Sequence, residues 1–105
     1  MKEITPKELE AMKKEGKPFQ LIDVREPYEV ELCNIGGDAI PMGEIVERLS
    51  EVRKDVPVVV HCRSGARSGA VINALASRYG YINLINLKGG ILAYGREVDN
   101  TLKCE

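Results

Sequence analysis

The chain lacks several of the features that usually betray a function. Among its 105 residues there is no tryptophan, one phenylalanine and one histidine, and only three cysteines. Cys33, Cys62 and Cys104 lie far apart with no C-x-x-C pair. An odd, sparse set of this kind argues against a secreted disulfide framework and against a zinc site, and predicts free thiols in a reducing cytoplasm. The lone His61 supplies no metal constellation, so no metal or other cofactor is expected. Excess charge of one sign is also missing. Fifteen basic and sixteen acidic residues give a net charge of −1, which leaves no electrostatic footprint for nucleic acid. Nothing approaches the run of about 18 apolar residues that a membrane span needs. No targeting pattern, repeat or low-complexity stretch is evident, and residues 1–105 read as one domain able to bury roughly two-thirds of its unfolded surface.

What is present alternates. Thr5-Pro6-Lys7-Glu8 is a helix start, with Thr5 as N-cap, Pro6 at the first helical position and Glu8 closing a capping box. Gly16 and Pro18 stop that helix. Phe19 to Val24 reads as a buried strand, Arg25-Glu26-Pro27 opens a short helix, and Ala39-Ile40 is a brief strand closed by Pro41. Ile45, Val46, Leu49 and Val52 fall at helical spacing. Val56 to Val60 is almost wholly apolar, as expected of a central parallel strand covered on both faces. A helix through Val71, Ala74 and Leu75, a strand from Ile82 to Leu87 and a final helix with Ile91, Tyr94 and Val98 complete the chain. Gly89-Gly90 predicts a turn that needs positive φ or close backbone approach. Strands alternating with helices predict an α/β fold with a parallel sheet and right-handed crossovers.

One segment concentrates chemistry. His61-Cys62-Arg63-Ser64-Gly65-Ala66-Arg67-Ser68 leaves the central strand and enters a helix. A loop there, at the carboxyl end of a strand, can point backbone N–H groups inward, and the helix adds the positive end of its dipole. With Arg63 and Arg67 nearby, all of these favour thiolate over thiol, and the thiolate is the nucleophile. Two reactions suit such a loop: attack on phosphorus and attack on a sulfane sulfur. The tyrosine-phosphatase signature also begins His-Cys, but it places one more residue between the cysteine and the arginine. The shorter ring here suits a single sulfur atom better than a tetrahedral phosphate. A cysteine-dependent phosphatase, an arsenate reductase, and a non-catalytic binding module on the same fold are the alternatives.

Cys62-Arg63-Ser64-Gly65-Ala66-Arg67-Ser68, Leu21-Ile22-Asp23-Val24-Arg25-Glu26 and Asn86-Leu87-Lys88-Gly89-Gly90-Ile91 together resemble the rhodanese family in order and spacing. Residues 33–41 and 96–99 resemble the branch fused behind adenylating enzymes of molybdopterin and thiamine sulfur-carrier pathways. The resemblance implies a three-layer domain with about five parallel strands flanked by helices, and a sulfurtransferase in which Cys62 carries sulfur as a persulfide. It implies that the amides from Arg63 through Ser64, Gly65 and Ala66 to Arg67 hold the outer sulfur. Arg63 would attract an anionic donor such as thiosulfate, and Arg67 would tie the loop back to Asp23. A cysteine desulfurase or a ubiquitin-like sulfur-carrier protein is the implied partner. Two positions depart from the family pattern: His61 precedes the cysteine where tyrosine or an apolar residue is common, and Tyr94 stands where tryptophan often does. Cys33 is read as structural, and Cys104 as a tail residue that could relay sulfur from Cys62.

Overall fold

The computed structural model describes residues 1–104. Five parallel strands form one sheet: β1 (Glu3–Ile4), β2 (Gln20–Asp23), β3 (Asp38–Ala39), β4 (Val58–His61) and β5 (Leu84–Leu87), in the order β1-β5-β4-β2-β3. Four helices accompany them: α1 (Pro6–Glu15) joins β1 to β2, α2 (Pro27–Leu32) joins β2 to β3, α3 (Ala66–Tyr79) joins β4 to β5, and α4 (Gly90–Glu97) follows β5. The α/β architecture is the expected one. β4 is central, and its register sets Asp23 beside His61 and Val60 beside Asn86.

Strand alternation divides the core into two layers. Val58 and Val60 face a cluster with Ile22, Ile40, Val71, Ile72 and Leu75, beneath α3. Val59 faces the opposite cluster, with Leu9, Leu21, Ile85, Leu87 and Tyr94, beneath α1 and α4. A strand covered on both sides must be apolar at every position, which is why the β4 pattern does not alternate in sequence. The local signals at α1 are also met. Glu8 N–H donates to Thr5 Oγ1 at 3.1 Å, Thr5 N–H donates to Glu8 Oε1 at 2.8 Å, and Gly16 ends the helix at φ 72°.

Three features differ from the sequence reading. The edge strand β1 occupies Glu3–Ile4, where only a helix lead was expected; it pairs with Asn86 and Leu87. The predicted helix through Ile45 and Leu49 is instead two 3₁₀ turns, Met42–Glu44 and Leu49–Glu51. Burial explains this: Ile45 and Val52 enter the core while Val46 stays exposed, so helical spacing does not correspond to one buried face. Third, Cys33 and Cys104 are joined in a disulfide with their Cα atoms 5.1 Å apart, which overturns the expectation of free thiols at these positions. The two cysteines are 71 residues apart in sequence, and only the folding back of the tail makes them neighbours. Among the described residues no helix is long and apolar enough to cross a membrane.

Candidate active site

β4 ends at His61, and the next residue, Cys62, is buried to within 1% of its surface. The chain then turns through Gly65, whose φ of 104° is open to glycine and strained for other residues, and enters α3 at Ala66. This turn aims donors at the sulfur. Gly65 N–H lies 3.1 Å from Cys62 Sγ, Ser68 N–H 3.4 Å and Ser68 Oγ 3.4 Å. Burial is the largest single influence on the thiol and pushes its pKa up. The hydrogen bonds from the Ser68 side chain and from the amides of Ser68, Gly65 and Ser64 together outweigh it, so the pKa lies below the ordinary thiol value.

The loop's carbonyls are turned away from the sulfur and consumed by α4. Ile91 N–H donates to Cys62 O at 2.9 Å and Leu92 N–H to Arg63 O at 3.2 Å. A helix N-terminus has unpaired N–H groups to offer, and here they hold the loop's carbonyls. Asn86 on β5 completes the scaffold. Its Nδ2 donates to Gly65 O at 3.1 Å, and its Oδ1 accepts from the Ser68 hydroxyl at 2.6 Å. Because Gly65 O can only accept, the amide orientation is determined, and the Ser68 hydroxyl has two acceptors within reach, Asn86 Oδ1 and Cys62 Sγ. A polar residue in an otherwise apolar strand is the sequence signal for the role of Asn86.

The two arginines and Asp23 are placed differently from expectation. Arg67 does not meet Asp23. Its Nη1 and Nη2 donate to the two carboxylate oxygens of Glu29 on α2, at 2.6 and 2.9 Å. Asp23 is occupied instead by Arg25, whose Nε and Nη2 donate to it at 2.8–3.2 Å and which is 2% exposed. Once a buried guanidinium two residues away has paired with Asp23, the carboxylate has no geometry left for Arg67. Asp23 thus braces the end of β2 and α2, and Glu29 ties the active loop to α2. Arg67 also lies close enough to Cys62 for their charges to interact, while Arg63, Ser64 and Ala66 are exposed at the mouth.

Hydrogen bonding from Arg67 is the main cause that holds the Glu29 carboxyl down at about 2. Glu29→Ala is expected to cost about 1–2 kcal/mol, the smaller part of the usual range because Arg67 is about one-third exposed. It should also slow alkylation of Cys62 by roughly tenfold as the loop loosens. Thermal melts and iodoacetamide labelling rates measure both, and unchanged values would show the pair to be ornamental.

His61 is wholly buried, and among the described residues neither ring nitrogen has a hydrogen-bond partner. Its Nε2 is 3.7 Å from Asp23 Oδ2, too long for a hydrogen bond. Burial is the chief cause that lowers its pKa below 6.5, with Arg25 acting in the same direction and Asp23 opposing. The ring is therefore neutral near pH 7 and is packed rather than poised as a base. With the folded pKa below the unfolded one, the unfolded chain binds the extra proton. Stability should fall as pH drops through about 6.5 toward the folded pKa. Urea unfolding of His61→Leu should lack this component between about pH 7.5 and 5.5. An identical slope in the variant would reassign the effect.

A cysteine met by the Gly65 and Ser68 amides at the end of a central parallel strand, with an arginine in the first turn of the following helix, defines the class of α/β domain to which the chain is compared. The rhodanese-like domain family model matches residues 5–97, and the chain belongs to this family. A sulfurtransferase of Allochromatium vinosum is 45% identical over 78 residues, covering 72% of this chain and 71% of that one. "Probable adenylyltransferase/sulfurtransferase MoeZ" of Mycobacterium tuberculosis is 34% identical over 98 residues. That match covers 90% of this chain but only 25% of the relative, so the present chain corresponds to a quarter of that protein. The crystal structure of a rhodanese-like domain protein from Staphylococcus aureus superposes with a TM-score of 0.85 at 33% identity, covering 100% of this chain and 99% of that one.

Proposed function

We propose that the chain is a sulfurtransferase that carries sulfane sulfur as a Cys62 persulfide. The observation that carries this reading is the buried Cys62 Sγ, met by the Gly65 and Ser68 amides at 3.1 and 3.4 Å in a ring only four residues wide between Cys62 and Arg67. The Cys62 thiolate attacks the outer sulfur of a small anionic donor such as thiosulfate. The donor's S–S bond breaks and sulfite leaves with the electron pair. The outer sulfur of the new persulfide then bears negative charge, and inward N–H groups stabilise it without reorganising. Arg63 at the mouth attracts the anion. A thiophilic acceptor, such as cyanide or a thiol, attacks the outer sulfur and expels the Cys62 thiolate. No base is required, in keeping with the neutral, enclosed His61.

A persulfide from a cysteine desulfurase as donor, and a ubiquitin-like sulfur carrier as acceptor, are the macromolecular partners this reading favours. It is supported by the adenylyltransferase/sulfurtransferase relative. A cytoplasmic setting belongs to the same proposal, in which a disulfide is a transient catalytic species. Incubation with thiosulfate and intact mass measurement should show one added sulfur on the wild type and none on Cys62→Ser. Turnover of an aryl phosphate or arsenate without sulfur loading would favour the phosphatase or reductase reading. Partner binding that needs no Cys62 would favour a docking module.

A further inference from the structure

The Cys33–Cys104 disulfide joins the end of α2, which holds Arg67 of the loop through Glu29, to the C-terminal tail. Cys33 caps the C-terminal end of α2, the helix whose Glu29 holds Arg67. The Cys33 carbonyl accepts from Arg25 Nη2 at 2.7 Å, and Arg25 Nη1 lies 3.8 Å from Cys33 Sγ. Cys104 belongs to the tail. After α4 the chain turns at Asp99, where Asp99 N–H donates to Tyr94 O at 3.1 Å. The tail then runs back along the helix. Leu102 lies over Gly95, 3.8 Å from where a Cβ would stand there. Cys104 lines the same cleft as Ile91 and Leu92, whose amides hold the Cys62 and Arg63 carbonyls. The tail thus carries a cysteine back to the loop end of α4.

We propose that Cys33 and Cys104 form a resolving dithiol for Cys62, so that the chain can reduce its own sulfane sulfur and release it as hydrogen sulfide. The inference rests on the Cys62 persulfide proposed above. With the pair reduced, the Cys104 thiolate attacks the outer sulfur of Cys62–S–SH. A Cys104–sulfur bond forms, the Cys62–sulfur bond breaks, and Cys62 leaves as thiolate. The Cys33 thiolate then attacks Cys104 Sγ, the Cys33–Cys104 disulfide closes, and HS⁻ departs and takes a proton from solvent. Two thiols lose two electrons in total and the sulfane sulfur gains them. An external dithiol, or two monothiols, resets the pair. The buried Arg25 guanidinium lies beside Cys33 Sγ, 3.8 Å from its Nη1. Extended, the segment from Asp99 to Cys104 spans up to about 17 Å, enough to return Cys104 to the end of α4 that holds the loop. The eight-residue α4 it must run along is only about 12 Å long.

The test uses the full chain, reduced with a dithiol and then freed of it without air, and given one equivalent of thiosulfate. Sulfite reports loading of Cys62, and sulfide reports resolution. The wild type should release sulfite and then up to one equivalent of sulfide, with peptide mapping showing Cys33 joined to Cys104. Cys104→Ser should still release sulfite but lose at least about tenfold in sulfide, its sulfur remaining on Cys62. Cys33→Ser should stall with the sulfur on Cys104, a signature that no purely structural disulfide produces. Sulfite without sulfide from the wild type, or undiminished sulfide from Cys104→Ser, overturns this inference and leaves the proposed function standing. Absence of sulfite overturns the proposed function, and this inference with it.

Discussion

Cys62→Ser is expected to lower the rate of sulfite release from thiosulfate by about 10⁴-fold or more, the scale seen when a nucleophile is removed from an otherwise intact site. The substitution changes little in volume, and the donors around Sγ remain, so thermal melts should stay close to the wild type. What disappears is the ionised sulfur. A hydroxyl titrates far above a thiol, and the three donors around it cannot bring it into range. The same donors predict the reactivity of Cys62 itself. Iodoacetamide should label it with an apparent pKa below the ordinary thiol value, because the Ser68 and Gly65 bonds outweigh its burial. The wild type must be labelled with the Cys33–Cys104 disulfide intact, since among the described residues Cys62 is then the free cysteine. Labelling that rises only across the ordinary thiol range would remove the argument for an activated thiolate.

Gly90→Ala should be the most damaging single-methyl change in the molecule. Gly90 has φ 62°, and a Cβ built there would lie 2.3 Å from Arg63 O and 2.6 Å from Cys62 O. Both obstacles are backbone, so neither can swing aside. Left-handed backbone costs a non-glycine residue roughly 1–2 kcal/mol by itself. Displacing the loop raises the total to about 3 kcal/mol or more. The displaced atoms are the carbonyls that Ile91 and Leu92 hold, so the Arg63–Ser64 peptide plane, whose N–H is one of those that lower the Cys62 pKa, must rotate. Sulfur transfer should therefore fall even in whatever fraction stays folded. Gly43→Ala is the control: a Cβ there meets nothing within 4 Å, and melting should be almost unchanged. Equal melting temperatures for the two variants would refute the close-approach account of Gly90.

Much of this architecture could be read from local chemistry. The Thr5–Glu8 capping box, the glycine at the end of α1 and the unbroken apolar β4 each follow from interactions within a few residues. The Cys62 loop was legible for the same reason, since its N–H ring is made by consecutive residues of one turn. β1 was missed because two residues carry no period; pairing with β5 makes it a strand. The segment after Pro41 misled because Ile45 and Val52 are pulled inward by the core while Val46 is not, and 3₁₀ turns meet that demand.

The sequence by itself determined an α/β chain with a cysteine delivered by a central strand to a strand–turn–helix loop, because strand, turn and helix preferences are local and agree with one another here. Only the tertiary structure decided which partners complete the site. Arg67 pairs with Glu29 across 38 residues because Arg25 has already claimed Asp23. Asn86 reaches Gly65 and Ser68 because β5 lies beside β4. Cys104 meets Cys33 because the tail folds back along α4. Each of these contacts is selected by burial and by competition among charged and polar groups in three dimensions, which spacing along the chain does not encode.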